Sequence, residues 1–147
     1  MRTQMVLTAL LIAIGLQASV SERDINGYYL TADQKAQVRF FKATNGMYYG
    51  RIVWLNDEMQ GQKDVKNPDG HLQERDVKGI LIVSELTFDG DRWSGGRIYD
   101  PWTGNSYDCY AYFDGDKENL SLRVYRGNRL IGKTLEWSRE ERKRNQR

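Results

Sequence analysis

Four turn-forming dipeptides, Asn45-Gly46, Asp89-Gly90, Asp114-Gly115 and Gly127-Asn128, stand between runs rich in β-branched and aromatic residues, and they commit the chain to a meander of antiparallel strands. The reason is steric: a two-residue type I′ turn needs φ > 0 at both central positions, which Asn, Asp and Gly tolerate best. The intervening runs predict eight strands, over Gly27 to Thr31, Val38 to Ala43, Met47 to Asn56, Gly79 to Phe88, Arg92 to Tyr99, Ser106 to Phe113, Asn119 to Tyr125 and Arg129 to Ser138. Leu120, Leu122 and Val124 alternate with Ser121 and Arg123, which gives that strand one dry face and one wet face. In the third run the alternation fails, because Tyr48, Ile52 and Trp54 are matched by Met47, Tyr49, Val53 and Leu55. That strand is either covered on both faces or exposes its outer aromatics.

Eight consecutive strands with tight turns suffice to close an up-and-down sheet into a barrel that holds side chains or one small ligand. The expected fold class is therefore all-β, an eight-stranded antiparallel up-and-down meander forming a closed or nearly closed barrel; a curled open sheet or a sandwich are the alternatives. In a meander the connections alternate between two ends. The three Asn-Gly and Asp-Gly turns share one end, and the other collects residues 32–37, the long stretch Asp57 to Lys78, Asp100 to Gly104 and Arg126 to Asn128. A loop of roughly twenty residues in a compact domain is uncommon and is more often functional than not.

The first eighteen residues have the layout of a secretory signal peptide, with Arg2 ahead of the apolar run Met5 to Leu16 and the small residues Ala18, Ser19 and Ser21 after it. The run is shorter than the roughly 20 residues of a membrane span. The expected organisation is a cleaved leader at 1–18, a single β-barrel domain at 19–138 and a basic C-terminal tail at 139–147, in a periplasmic or secreted protein. Cys109 is the sole cysteine, so no internal disulfide is available to an exported chain. Net charge is only +2, and basic residues gather at the tail (Arg139, Arg142, Lys143, Arg144, Arg147) rather than across the body. Nucleic acid is therefore not an expected partner. The tail is read as a solvated terminus, with peripheral contact on an anionic surface as the alternative.

Four segments form one pattern: Gly50-Arg51-Ile52-Val53-Trp54-Leu55; Lys63-Asp64-Val65-Lys66-Asn67-Pro68-Asp69; Gly95-Gly96-Arg97-Ile98-Tyr99-Asp100-Pro101 with Gly104 and Tyr107; and Gly132 with Trp137 and Arg139. Together they resemble a bacterial family of exported small proteins known as a domain of unknown function, number twenty-one forty-seven. The resemblance spans Gly27 to Arg139 and implies no particular activity. The chain departs from many members in having Tyr29 where they have tryptophan. Gly27-Tyr28-Tyr29 near the start and Arg139 near the end are also similar to lipocalin-like barrels, where a Gly-x-Trp ring is covered by a far arginine. That analogy implies a cation–π contact between Arg139 and Tyr28 or Tyr29 that closes the barrel base.

The candidate ligand-binding rim is Asn67, Asp69, His71, Tyr99, Asp100 and Trp102, with Asp64 and Arg75 nearby. The competing structural reading, favoured for each residue alone, is that Asn67 and Asp100 set turns before Pro68 and Pro101. His71 is the sole histidine and no calcium-loop spacing occurs, so neither a metal nor a cofactor is expected. Cys109 lies mid-strand and reads as a buried thiol rather than a nucleophile. The expected function is non-catalytic binding of a small apolar or amphipathic ligand. An envelope-acting enzyme using Asp69 and Asp100, and a structural or interaction module of the envelope, are the alternatives.

Overall fold

The structure, a computed structural model, describes residues 19–146; the expected leader at 1–18 lies outside the described residues. Eight strands follow one another as β1 (Gly27–Leu30), β2 (Ala36–Lys42), β3 (Tyr48–Leu55), β4 (Leu81–Phe88), β5 (Trp93–Asp100), β6 (Asn105–Phe113), β7 (Asn119–Tyr125) and β8 (Gly132–Glu140). Each pairs antiparallel with the next, and the order closes into a barrel. Closure comes from Tyr28 opposite Glu140, Tyr29 opposite Arg139 and Leu30 opposite Ser138. Closure pairs both terminal strands, so neither β1 nor β8 is left as a free edge over its paired residues. The eight-stranded meander is as the sequence predicts. Strand β8 starts later than Arg129 because Asn128 folds the preceding residues into a turn, its carbonyl accepting from Ile131 N at 3.1 Å.

The broken alternation of β3 has a local cause. Its register with β2 jumps from Gln37 opposite Trp54 to Val38 opposite Ile52, so Val53 is an extra, bulged residue. A bulge reverses the facing of everything beyond it. Ile52 and Leu55 are therefore both buried inside, and Trp54 faces out. The end of the chain covers it, with the Arg144 guanidinium 5.0 Å from the Trp54 ring centre.

Residues 141–145 are exposed, as a solvated terminus predicts, but the barrel does not end at 138 and the end is held against the wall rather than free. Arg139 and Glu140 belong to β8, and the residues beyond fold back over β2 and β3. Gln37, outward-facing yet fully buried, holds them. Its Nε2 donates to Glu140 Oε1 at 3.0 Å and to the Arg142 carbonyl at 2.9 Å, and its Oε1 accepts from Arg144 N at 2.9 Å. Basic composition suggests solvation, but a buried amide needs partners for both of its ends, and the tail supplies them. Ser121, placed on the wet face of its strand from sequence, is also buried.

The end with the tight turns is plugged by residues 20–26. Ile25 is fully buried there. Trp93 Nε1 donates to the Glu22 carbonyl at 3.3 Å, and Lys117 pairs with Asp24 at 2.7 Å. Arg139 ties the plug to the wall: it donates to the carbonyls of Lys117 at 2.7 Å, Asn26 at 3.1 Å and Asp24. Its guanidinium sits 4.8 Å from the Tyr29 ring centre, which is the expected contact. Gly27 leaves room for it, since a β-carbon there would lie 2.8 Å from an Arg139 nitrogen. Tyr29, Phe40, Tyr48 and Trp93 fill the layer above, meeting edge to face as aromatic quadrupoles prefer.

Candidate functional site

At the opposite end, where the loops after β1, β3, β5 and β7 emerge, the packing stops short and leaves a cavity of about 310 Å³. Strand periodicity builds it. Lys133, Leu135 and Trp137 share the inner face of β8 and run from mouth to wall to floor, while Ile98 and Asp100 do the same on β5. Ile52 and Val124 complete an apolar wall, and Ala36 keeps the space open because it is small. The mouth is polar but mostly satisfied. Asp33 accepts from the Thr31 hydroxyl at 2.7 Å and from Lys35 N at 3.1 Å. Lys133 has no ion pair or side-chain hydrogen bond among the described residues, and it is the one cation of a lining that also carries the carboxylates Asp33 and Asp100, which have no ion pair among the described residues either.

The six rim residues named from sequence divide into two groups. Tyr99, Asp100 and Trp102 border the cavity. Asn67, Asp69 and His71 lie in the long β3–β4 loop and are not part of its lining. Both carboxylates set local geometry. Asp100 accepts from Trp102 N at 2.9 Å and from the Thr103 hydroxyl at 3.0 Å, which shapes the β5–β6 turn. Asp69 caps the short 3₁₀ turn Gly70–Leu72 by accepting from His71 N at 3.0 Å, and Asn67 Oδ1 in turn accepts from Asp69 N at 2.8 Å. His71 is exposed.

The long loop is held by Asp64, which the sequence placed only near the rim, and not as a buried hub. Asp64 is fully buried and accepts from the Tyr99 hydroxyl, from Asn67 Nδ2 at 2.9 Å and from Arg75 Nε at 2.9 Å, with a second Arg75 nitrogen at 2.8 Å. Burial, together with the bond to Asp64, holds the Tyr99 phenol well above its ordinary value. By alternation Tyr99 faces outward from β5, so this network clamps the loop to the outside of the wall that Ile98 and Asp100 line from within. Gly104 completes the clamp. It takes φ +77°, and the Lys66 carbonyl occupies the place of its missing β-carbon. Cys109 is buried in the wall, where desolvation pushes its thiol up to about 12. Among the described residues no group of three or more His, Cys, Asp or Glu side chains is arranged to hold a metal ion.

A closed eight-stranded meander, plugged at one end and hollow and apolar at the other, is a lipocalin-like barrel. The chain belongs to the family described as "Uncharacterized protein conserved in bacteria (DUF2147)", which matches residues 27–139. The chain is also similar to a solved structure, protein HP1028 from the human pathogen Helicobacter pylori, described as belonging to the lipocalin family. The two are 28% identical with a TM-score of 0.71, over 80% of this chain and 83% of that one. No curated protein matches the chain.

Proposed function

We propose that this chain is an exported, non-catalytic binding protein that holds one small apolar or amphipathic ligand in the open end of its barrel. The carrying observation is the cavity: about 310 Å³, walled by Ile52, Ile98, Val124 and Leu135, floored by Trp137, and opening past polar residues. That volume is at the lower end of the range for ligand pockets, and equals roughly ten liquid waters. A compact molecule fits better than a long acyl chain. At the mouth the free ammonium of Lys133 offers a partner to an anionic polar end, and Asp33 and Asp100 beside it offer acceptors to a donor. The likeness to a protein described as a lipocalin supports a binding role, and export rests on the apolar leader read from residues 1–18.

Titration with an anionic apolar fluorophore such as anilinonaphthalene sulfonate, followed by energy transfer from the cavity-lining Trp102 and Trp137, tests this reading. Wild type is expected to bind it saturably at one site, and Leu135→Trp, which fills the space, to bind at least about tenfold more weakly while keeping the wild-type circular dichroism. Lack of saturable binding, or equal binding by the filled variant, overturns the proposal. Mass spectrometry of small molecules extracted from protein purified from its native source then identifies the ligand.

A further inference from the structure

The β7–β8 connection, residues 126–131, carries surface that packing does not explain. Leu130 is 86% exposed and Ile131 73%, the two most exposed large hydrophobic side chains among the described residues. Single exposed aliphatics are ordinary. Here two adjacent ones stand at the tip of a hairpin whose backbone is held. Arg123 on β7 donates to the carbonyls of Arg129 and Leu130, each at 3.1 Å, and Asn128 Oδ1 accepts from Leu130 N at 2.9 Å.

Along the connection itself the charges have one sign. From residue 126 to residue 135 the chain has Arg126, Arg129 and Lys133 and no acid. The Arg126 guanidinium lies 4.7 Å from the Tyr107 ring centre, and Arg129 lies 5.4 Å from that of Tyr110. These rings orient the two cations without neutralising them. The nearby acid Asp108 is already paired with Arg97 at 3.3 Å and accepts from Gly127 N at 3.3 Å. Two aliphatic side chains collared by three cations and flanked by tyrosines match an anionic bilayer interface. The aliphatics enter the acyl boundary, and the cations and phenols remain at the headgroups.

We propose that this hairpin tip docks the barrel, mouth first, on an anionic phospholipid surface. Lys133 lies two residues beyond Ile131 and borders the cavity, so docking sets the mouth against the bilayer. The contact is weak and reversible, since two aliphatics and three charges fall far short of a membrane anchor.

The test is flotation of residues 19–147, the chain expected after removal of the leader, with phosphatidylglycerol-containing vesicles or with phosphatidylcholine alone. Wild type is expected to float with the anionic vesicles only, in a salt-sensitive way. Arg126→Gln and Arg129→Gln are each expected to weaken binding about fivefold, and Leu130→Ser with Ile131→Ser to abolish it while the fluorophore site in the cavity is retained. Equal binding to both vesicle types, or binding unaffected by the tip substitutions, overturns the proposal. Absence of vesicle binding together with a concentration-dependent dimer that the tip substitutions dissolve assigns the patch to a second copy of the chain, and overturns it too. Because the fluorophore and the vesicles report separately, failure here leaves the cavity reading standing, and the converse holds.

Discussion

Arg139 combines two contacts that a hydrophobic residue in its place could not make together: it covers the Tyr29 ring and donates to three carbonyls, two of which belong to the plug at 20–26. Arg139→Ala leaves those carbonyls without their donors and uncovers the ring. A loss of about 3 kcal/mol in urea unfolding is expected, well above an exposed ion pair. Arg139→Lys should recover only part of it, because an ammonium cannot reach three divergent acceptors. Asp69 and Asp100 separate by the same reasoning. Asp69 caps one exposed turn, so Asp69→Ala should cost about 0.5–1 kcal/mol, while Asp100→Ala breaks two bonds beside the cavity and should cost about 1–2 kcal/mol. Paired urea melts check the order, and fluorophore titration of Asp100→Ala shows whether the turn also shapes the mouth. The contact of Arg139 was legible in the sequence because a closing barrel must bring first and last strands together. Asp64 was legible only as an acid near the rim beside Arg75; one acid among twenty carries no local sign that it will be buried with four donors converging on it.

At the scale of elements, the features hardest to read were those that depend on an offset of one residue. Nothing in Ile52-Val53-Trp54-Leu55 marks Val53 as the bulge, yet it decides that Leu55 faces the core and that Trp54 needs a cover. The cover is the folded-back end, fixed by Gln37 and by the Glu140–Arg144 pair at 2.7 Å. This element has a pH signature. Arg144, and then Gln37, hold the Glu140 carboxyl below its ordinary value of 4.5. A carboxylate depressed by folding contributes stability that is complete above its ordinary value and is lost as pH falls through the lowered one. Glu140→Gln is therefore expected to be less stable than wild type at pH 7 by about 1 kcal/mol, since the pair is partly exposed and screened. The gap should narrow as pH drops below about 4.5. Urea midpoints measured from pH 7 to pH 3 check both the sign and the window; a gap that widens on acidification would contradict the pairing.

Across the whole molecule the barrel is packed unequally from end to end, and the inequality is what makes a container of it. Turn dipeptides foretold the strand count and which loops share an end. They could not foretell the cavity, because Ile98, Leu135 and Trp137 are the same residue types that fill the base, and only the volumes summed across facing strands leave space above them. Unequal packing implies an unequal response to truncation. Leu120, fully buried above the plug, is in contact with protein on all sides, and Leu120→Ala should cost about 3–4 kcal/mol as the lost transfer energy and a new void add together. Leu135 already faces empty space, so its removal enlarges a hollow that exists rather than creating one. Leu135→Ala should cost about 1–2 kcal/mol. Urea unfolding of both variants, analysed at a common slope, measures the gradient directly. Comparable losses at the two sites would mean that the open end is packed as tightly as the base, and the binding role would then have no space to occupy.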